Sequence, residues 1–528
     1  MRLGIDFGTT RIVVAAVDRG NYPVVCFDTP QGEPREWFPS LVAVRRSELL
    51  FGWDAWHAQE DPDATIVRSL KRHLQDAGPL TRVEIAGQAF PMLDLLTGLC
   101  AALRLALLHK SSLRTSEGDP IEVHLGVPAN ANGNQRFLTV EAFQRAGFRV
   151  LGLLNEPSAA SVEYGHGLRV ARNGKPKDRV LVYDLGGGTF DASLVDVEAG
   201  RHVVLASEGI PSLGGDDFDD VLADLAFEGA GIGPDDQASL TQAEWFRLYE
   251  ECRLRKESLH PNTRKLSVDL EAAREGWPTV VIPVADFYRR AQPLVDETLN
   301  AVADLIASSD REVECLYVTG GASDLPIIAR ELRDRYGRRV RRSSYPHSAT
   351  AIGLAIQSDA DAGYLLRERF TRNFGVWREA EGGRTIIFDP LFLKGTPLPG
   401  ENEPPLAVGR TYYAAHNIGH FRYLECSHTT PEGRPAGEIT VWDDILFPFD
   451  PALSQVPSLA NIPVTRYDWG PAHEIEEQYR CDAGGAVTVT IFNRTAGYHR
   501  VYRLGRWAVP EAPLVPGRKR ARRAPRKS

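Results

Sequence analysis

Two segments of this chain repeat one pattern, in which a short apolar strand ends in an aspartate and leads into a turn rich in glycine and threonine. The first copy occupies residues 3–10 (LGIDFGTT) and the second occupies residues 182–189 (VYDLGGGT). Each copy runs on into a second strand-like segment, so each predicts a β-hairpin. Two copies of one supersecondary unit indicate that this part of the chain contains two similar halves.

The turns of these hairpins suit phosphate. Successive backbone N–H groups form a concave nest for anionic oxygens, and glycine lets the chain approach a phosphate closely. A carboxylate at the strand end, Asp6 or Asp184, can hold Mg²⁺, usually through water. Two facing hairpins would grip a nucleotide's phosphates from both sides, which is most of what phosphoryl transfer requires. The alternative for each aspartate is a carboxylate that caps the turn.

The chain changes character near residue 361. Before it, β-branched runs alternate with helical patterns, which is typical of an α/β domain, and afterwards turn residues separate short strand-like runs, as in an all-β sandwich. We therefore predict an α/β domain at 1–360, a linker at 361–371, a β-sandwich at 372–508 and a disordered basic tail at 509–528. The clearest strands are expected at 122–127, 315–319 and 411–416, and the clearest helices at 243–260 and 284–307.

Composition narrows the classes of function. The 528 residues are 43% hydrophobic with a formal net charge of −9, which fits globular domains and does not favour a general nucleic-acid binder, although the basic tail could contact RNA. The six cysteines form no CxxC pair, which suits a reducing cytoplasm. The most apolar stretch, 92–108, is interrupted by Asp94 and Arg104, so we expect an amphipathic helix and no membrane span.

Further motifs complete a family pattern. They comprise residues 69–72 (SLKR), 127–129 (VPA), 155–160 (NEPSAA), 184–191 (DLGGGTFD), 213–219 (LGGDDFD) and 320–321 (GG). In this order they resemble the ATPase domain of the seventy-kilodalton heat-shock chaperone family, the DnaK-type branch of the actin-like ATPases, over residues 1–360. The resemblance implies a two-lobed actin-like domain built from duplicated ribonuclease-H-like halves, followed by a peptide-binding β-sandwich.

The resemblance also implies roles for individual residues. Asp6, Asp184 and Glu156 would hold Mg²⁺ mostly through water, Lys71 would place a positive charge beside the γ-phosphate and position the attacking water, and Thr189 would lie by that phosphate. The residues implied to bind ATP or ADP are Gly8, Thr9, Thr10, Gly186, Gly187, Gly188, Gly214, Gly215, Lys256, Gly320, Gly321 and Ala322. K⁺ is a further candidate ion. For Lys71 the alternative is a solvated helix face.

Some positions depart from the family pattern. In the adenosine-binding helix Lys256 matches, but Arg253 stands in place of an acid and Glu257 in place of a frequent arginine. After Gly321, Asp324 stands where the family commonly has an arginine that can stack on adenine. Pro128 and Arg136 match the family's relay between domains, and Glu368 stands where the linker acid is expected.

The resemblance implies a cytoplasmic, ATP-hydrolysing chaperone of the stress-response and protein-folding class. It would bind unfolded polypeptide and act with a J-domain co-chaperone and a nucleotide exchange factor. The chain runs only about twenty residues past the last strand-like segment, so we expect a lidless variant. Two alternatives stay open, which are an actin-like scaffold that uses ATP as a switch and, with less support, a small-molecule kinase on the same fold.

Overall fold

The structure is a computed structural model of the 528-residue chain. It describes residues 1–29, 32–61, 63–78, 80–115, 118–172, 177–198, 200–381, 384–400, 403–466 and 473–504. The basic tail of the sequence analysis lies outside these residues. By its internal contacts the described part of the chain forms two units, of which the first lies within 1–372 and 394–400 and the second within 373–393 and 403–504. Residues 394–400 thus group with the first unit, although the sequence places them within the second domain.

The first unit contains all of the α-helices that the described residues form. The helices are α1 Trp53–His57, α2 Met92–His109, α3 Gly133–Arg145, α4 Glu156–Arg172, α5 Gly215–Ala230, α6 Pro234–Ala238, α7 Gln242–Glu257, α8 Val284–Ala307, α9 Pro326–Tyr336 and α10 Ala349–Ser358. Short 3₁₀ helices lie at Ala58–Glu60, Leu70–Leu74, Leu270–Ala272, Gly321–Asp324, Gly337–Arg339, Ala360–Ala362 and Pro451–Leu453, the last of them in the second unit.

Strands are distributed over both units. In the first unit they are β1 Arg2–Phe7, β2 Arg11–Ala16, β3 Phe38–Pro39, β4 Val42–Arg45, β5 Glu48–Phe51, β6 Ala64–Val67, β7 Arg82–Ile85, β8 Gln88–Pro91, β9 Glu122–Val127, β10 Arg149–Asn155, β11 Lys177–Leu185, β12 Phe190–Glu198, β13 Arg201–Ile210, β14 Lys265–Asp269, β15 Thr279–Pro283, β16 Cys315–Thr319, β17 Val340–Arg342 and β18 Leu365–Arg367. In the second unit they are β19 Asn373–Ala380, β20 Thr385–Phe392, β21 Leu406–Tyr413, β22 Ile418–Thr429, β23 Pro435–Pro448, β24 Glu474–Cys481, β25 Val487–Asn493 and β26 Tyr498–Arg503. The strand expected at 411–416 is therefore displaced toward the N-terminus, and the helix expected at 243–260 ends at Glu257.

Two sheets of the first unit share a local plan. One has the order β10-β9-β1-β2-β3 and the other β17-β16-β11-β12-β13-β18. In the first, β1 pairs antiparallel with β2 and parallel with β9, and in the second, β11 pairs antiparallel with β12 and parallel with β16. The two repeated sequence segments therefore form equivalent hairpins, each beside a parallel strand. Both strands that carry the repeat are apolar because they are buried on both faces.

Helix α10 packs unusually close to its neighbours, and glycine makes this possible. A Cβ atom at Gly4 of β1 would lie 2.2 Å from the backbone nitrogen of Ala355. One at Gly353 would lie 1.8 Å from the carbonyl oxygen of Ala159 in α4. No side chain fits in either gap, so these glycines allow α10 to pack directly against β1 and α4. Strand β1 contains Asp6, and helix α4 begins at Glu156.

Helix α2 has the composition of a membrane span. Over its 18 residues the mean hydropathy is 1.5, and half of that window is buried inside the unit. Leu95, Leu99 and Leu103 are fully buried in the core beneath the first large sheet. Burial in the core accounts for the apolar sequence of α2. The length and mean hydropathy of the helix, taken alone, would also fit a membrane span.

The segment after α10 adds a strand to the second large sheet. Strand β18 pairs in parallel with β13, with Leu365 opposite Arg201 and Leu366 opposite His202. The residues expected to form a linker therefore continue the sheet of the first unit up to Arg367.

The second unit is a sandwich of two four-stranded antiparallel sheets, with orders β20-β19-β22-β23 and β21-β24-β25-β26. Alternate residues point inward, as in β25, where Val487, Val489 and Ile491 are fully buried. Between the sheets the ring of Tyr423 meets that of Tyr479 with their centroids 6.1 Å apart. The turns between these strands supply the glycine-rich signals that the sequence shows.

A buried ion pair lies in this sandwich. Arg378 of β19 donates to both carboxylate oxygens of Glu477 of β24, at 2.9 and 2.6 Å, and Glu477 is fully buried. The hydroxyl groups of Tyr412 and Tyr479 also donate to Glu477. Although burial pulls the pKa of Arg378 down, pairing with Glu477 outweighs it, so that the pKa lies above its usual value. The two sheets are thus joined by charge as well as by apolar contact.

Removing one member of this pair is expected to destabilise the second unit. Arg378→Met leaves the Glu477 carboxylate buried without its cation, which costs about 3 kcal/mol or more in free energy of unfolding. The double variant Arg378→Met with Glu477→Gln should lose less than the sum of the single variants, because no uncompensated charge remains. Calorimetric unfolding measures both, and Arg480→Met on the exposed face of β24 is the matched control. Equal effects of Arg378→Met and Arg480→Met would contradict the account.

Candidate nucleotide site

The two glycine-rich turns meet in the first unit. A Cβ atom at Gly188 would lie 2.7 Å from the hydroxyl oxygen of Thr9, and one at Gly187 would lie 2.9 Å from that of Thr10. The turn after β1 and the turn after β11 are therefore in contact, and only glycine fits at this contact. The arrangement brings the aspartates that precede both turns, Asp6 and Asp184, to one crevice.

A lysine lies among the carboxylates of this crevice. The ammonium nitrogen of Lys71 donates to Oε1 of Glu156 at 2.6 Å, and both side chains are buried. Lys71 belongs to the 3₁₀ helix Leu70–Leu74, and Glu156 begins helix α4 directly after β10. Asp191, the last residue of the DLGGGTFD motif, accepts a hydrogen bond from the backbone N–H of Ala129 at 2.8 Å.

The charges of the crevice do not balance. Burial, followed by repulsion from Glu156, raises the pKa of Asp6 to about 7, against an opposing effect of Lys71. Burial and Glu156 likewise raise the pKa of Asp191 to about 7, and burial, Glu156 and Asp6 hold the pKa of Asp184 well above its usual range. One ammonium group is thus too little positive charge for these carboxylates.

This donor set fits Mg²⁺ held through water. Carboxylate oxygens are the ligands that Mg²⁺ prefers, and the ion usually keeps several waters. Within the part of the chain that the structure describes, no three His, Cys, Asp or Glu side chains are placed to ligate one ion directly. Asp6, Asp184 and Glu156 could therefore hold the ion through its water shell, and the ion would supply the positive charge that the crevice lacks.

The crevice continues into a cavity of about 910 Å³. All but two of the site residues expected from the sequence line it, namely Asp6, Gly8, Thr9, Thr10, Lys71, Glu156, Asp184, Gly186, Gly187, Thr189, Gly215, Lys256, Gly320, Gly321 and Ala322. A volume of this size is that of a small-molecule site. Residues far apart in the sequence are therefore brought to one place.

Gly188 and Gly214 lie behind this lining. The N–H group of Gly214 donates to Asp217 at 2.7 Å, and those of Gly215 and Asp216 donate to the carbonyl oxygens of Gly186 and Gly187. The first amides of α5 therefore brace the second turn from behind. The sequence predicted that these glycines face an anion, whereas Gly214 instead allows α5 to approach the turn.

A set of ion pairs that the sequence did not predict joins the Lys71 segment to α5. Arg72 donates to both oxygens of Asp217, at 2.9 and 2.8 Å, and Arg68 donates to Asp216 at 2.8 Å. Ser69, whose backbone is left-handed at φ 58°, donates to Asp216 at 2.5 Å. The SLKR and GGDDFD motifs are thus complementary in charge, a signal visible in the sequence once the two motifs are considered together.

The far end of the cavity contains the positions that depart from the family pattern. Glu257 accepts from Arg11 at 2.8 Å and from Arg253 at 3.2 Å, so the swapped charges pair with each other. Lys256 is buried and pairs with Asp219 at 2.6 Å, in addition to its bond to the Gly215 carbonyl oxygen. Lys256 therefore holds the start of α5 against α7.

These features define a class. Two glycine-rich hairpins with an aspartate before each turn, a buried lysine–glutamate pair and an α/β unit joined to a β-sandwich are the parts of a phosphate-binding protein with a separate β domain. A family model described as Hsp70 protein matches residues 105–369, about half of the chain.

Curated relatives agree with that match. The chaperone protein HscA of Klebsiella pneumoniae subsp. pneumoniae is 33% identical over 523 residues, which cover 94% of this chain and 76% of that protein. HscA of Proteus mirabilis is 32% identical over 419 residues, which cover 75% of this chain and 64% of that protein. The HscA homologue of Vibrio parahaemolyticus is 29% identical over 521 residues, or 94% of this chain and 76% of that protein. The chain belongs to the Hsp70 family, whose members are ATP-hydrolysing chaperones.

The contact between the turns can be tested at its glycines. Gly188→Ala places a methyl group against Thr9, so we expect the nucleotide-free protein to lose about 1–3 kcal/mol in free energy of unfolding. Gly186→Ala in the same turn is the matched control, because its Cβ would lie no closer than 3.5 Å to any atom of the protein. Thermal unfolding of both variants distinguishes them, and equal stability would show that the turns do not touch.

Proposed function

We propose that this chain is a Mg²⁺-dependent ATPase of the chaperone type, in which the first unit binds and hydrolyses ATP and the second binds extended segments of unfolded polypeptide. The observation that carries the proposal is the contact of the two turns, Thr9 against Gly188, above the crevice that holds Asp6, Lys71 and Asp184. The chain spans 64% of the length of one HscA relative and 76% of another, so the activity of the whole is inferred.

The finer fold is part of the proposal. We infer that the first unit is an actin-like domain of two lobes, each built on one ribonuclease-H-like half. The support is the shared plan of the two large sheets, in which β1–β2 beside β9 corresponds to β11–β12 beside β16. In such a domain the ligand would lie between the halves and respond to their relative movement.

The residues of the crevice then divide the chemistry. The N–H groups of the two turns, at Thr9, Thr10 and Gly187, would bind the β- and γ-phosphates. Lys71, held by Glu156, would keep a fixed positive charge beside the γ-phosphate and orient the attacking water. Bound Mg²⁺ would supply charge neutralisation of the phosphates. Positioning and electrostatics of this kind are most of what hydrolysis of a phosphoanhydride needs.

Coupling between nucleotide and client has a candidate route in the first unit. The carboxylate of Glu368 accepts from the backbone N–H of Asn155 at 3.1 Å and from its side chain at 2.8 Å. Arg136 donates to the side-chain oxygen of the same Asn155 at 2.7 Å. Asn155 directly precedes Glu156, so the acid that follows β18 touches the residue next to the crevice.

The partners and the setting follow from family membership. We propose unfolded clients, a J-domain co-chaperone and a nucleotide exchange factor as partners, with ATP or ADP, Mg²⁺ and K⁺ as bound species. The sandwich would hold an extended client segment by strand-like hydrogen bonds along an edge strand such as β20 or β21. A cytoplasmic setting is supported by the cysteines, all six of which are free thiols.

The catalytic assignment is tested by ATP turnover of the wild type and of Lys71→Ala, each with and without an unfolded client. Removing the buried ammonium group should lower kcat by about 100-fold or more, because Lys71 is the cation that opposes the raised pKa of Asp6, Asp184 and Asp191. Lys265→Ala, on the exposed strand β14, is the matched control. Equal rates for wild type and Lys71→Ala would remove the assignment, and turnover that ignores the client would favour the actin-like scaffold.

The coupling route is tested at Glu368. Glu368→Ala removes both hydrogen bonds to Asn155, so stimulation of turnover by an unfolded client should fall by at least about fivefold. Basal turnover should stay within about twofold, since Asn155 and Arg136, with which Glu368 interacts, do not line the cavity. Asp361→Ala, an exposed acid of the same segment, is the control. Normal stimulation of Glu368→Ala would refute the route.

A further inference from the structure

Two adjacent glycines, Gly320 and Gly321, lie between the crevice at Asp184 and the part of the cavity that His347 lines. A Cβ atom at Gly320, where φ is +88°, would lie 2.4 Å from Oδ1 of Asp184, and one at Gly321 would lie 3.0 Å from Nδ1 of His347. The step from one residue to the next therefore leads from the crevice to the opposite wall. A nucleotide with its phosphates at Asp184 would extend its base past Gly321 toward His347.

An arginine at this end of the cavity, Arg342, is held by an ion pair. The Arg342 guanidinium at the end of β17 donates to Oδ1 of Asp324, and Nε2 of His347 lies 3.2 Å from Oδ2 of the same carboxylate. Arg342, Asp324 and His347 all line the cavity. The Arg342 side chain is 52% exposed, so a ligand in the cavity can reach it.

Other arginines also line the cavity. The guanidinium of Arg11 lies over the ring of Trp37 at 5.1 Å and that of Arg253 over Trp56 at 5.8 Å, and both pair with Glu257. One face of each is therefore covered, and Arg35 pairs with Glu33. Arg333 of α9 also lines the cavity and is exposed, which makes it the rival for any role that needs an open guanidinium.

Apolar residues line the cavity next in sequence to Asp324 and His347. Leu325, Pro326, Ala329 and Pro346 line the same end of the cavity. A planar heterocyclic base can lie against such surface on one side and against a guanidinium on the other, since the delocalised plane of arginine stacks on π-systems, whereas an ammonium group does not. The end of the cavity thus offers both faces that a purine needs.

We propose that Arg342, positioned by Asp324, stacks on the base of the bound purine nucleoside triphosphate and sets its affinity. This inference rests on the proposed function, because it takes the phosphates to lie at the two turns. Position 324 is an aspartate and so has no guanidinium of its own. Its ion pair with Arg342 of β17 places a guanidinium at the same end of the cavity. Asp324 is then a positioning residue, and Arg342 is the group that touches the base.

The test compares ligands with and without a base. Dissociation constants are measured by calorimetry for the Mg²⁺ complexes of ATP, GTP and inorganic triphosphate with the wild type, Arg342→Ala and Arg342→Lys. Arg341→Ala, the neighbouring exposed arginine of β17 that does not line the cavity, is the matched control, and Arg333→Ala tests the rival. Thermal unfolding without ligand checks that each variant is folded, as expected for a half-exposed side chain.

We expect Arg342→Ala to weaken both ATP and GTP about tenfold and to leave triphosphate within about twofold, with Arg342→Lys little better than alanine. Unchanged ATP affinity in Arg342→Ala, an equal loss for triphosphate, or a loss in Arg333→Ala in its place would each overturn the inference. A wild type that binds triphosphate as tightly as ATP would also overturn it and leave the phosphate site standing. A wild type that binds neither would refute the proposed function itself.

Discussion

The approach of the two glycine-rich turns is the constraint on which the rest of the first unit depends. Thr9 and Thr10 of one turn lie against Gly188 and Gly187 of the other at distances that admit no Cβ atom. Each turn is held by its own hairpin, and the second is braced from behind by the first amides of α5. Close packing at one point therefore brings together two sheets whose repeated hairpins are far apart in the sequence.

That approach has an electrostatic cost, because it gathers Asp6, Asp184, Asp191 and Glu156 around the single ammonium group of Lys71. Burial and repulsion from Glu156 raise the pKa of Asp6 and of Asp191 to about 7, so these carboxylates favour protons or a cation. A bound magnesium ion would restore the balance, since it adds positive charge among them.

The sequence predicted the two hairpins and the aspartates before their turns, since the repeated motif contains both, and local strand signals at 122–127 and 315–319 agree with β9 and β16. The chemical roles of these residues stay predictions. The sequence did not predict contacts that depend on tertiary distance. Arg72 with Asp217, Arg342 with Asp324 and Arg378 with Glu477 join residues with no local pattern between them. Gly214 also differs from its predicted place in an anion site, because its backbone N–H donates to Asp217. The sequence spacing of the two residues did not indicate this bond.

The position of Asn155 connects the crevice to the end of the first unit. Asn155 ends β10, and the next residue, Glu156, holds Lys71, so any shift of β10 alters the Lys71–Glu156 pair and the bonds to Glu368 together. Glu368 is half-buried, and this partial burial raises its pKa although Asn155 and Arg136 oppose the change. Its hydrogen bonds therefore compensate for the water that the carboxylate loses. They tie the segment after β18 to the strand that positions Glu156.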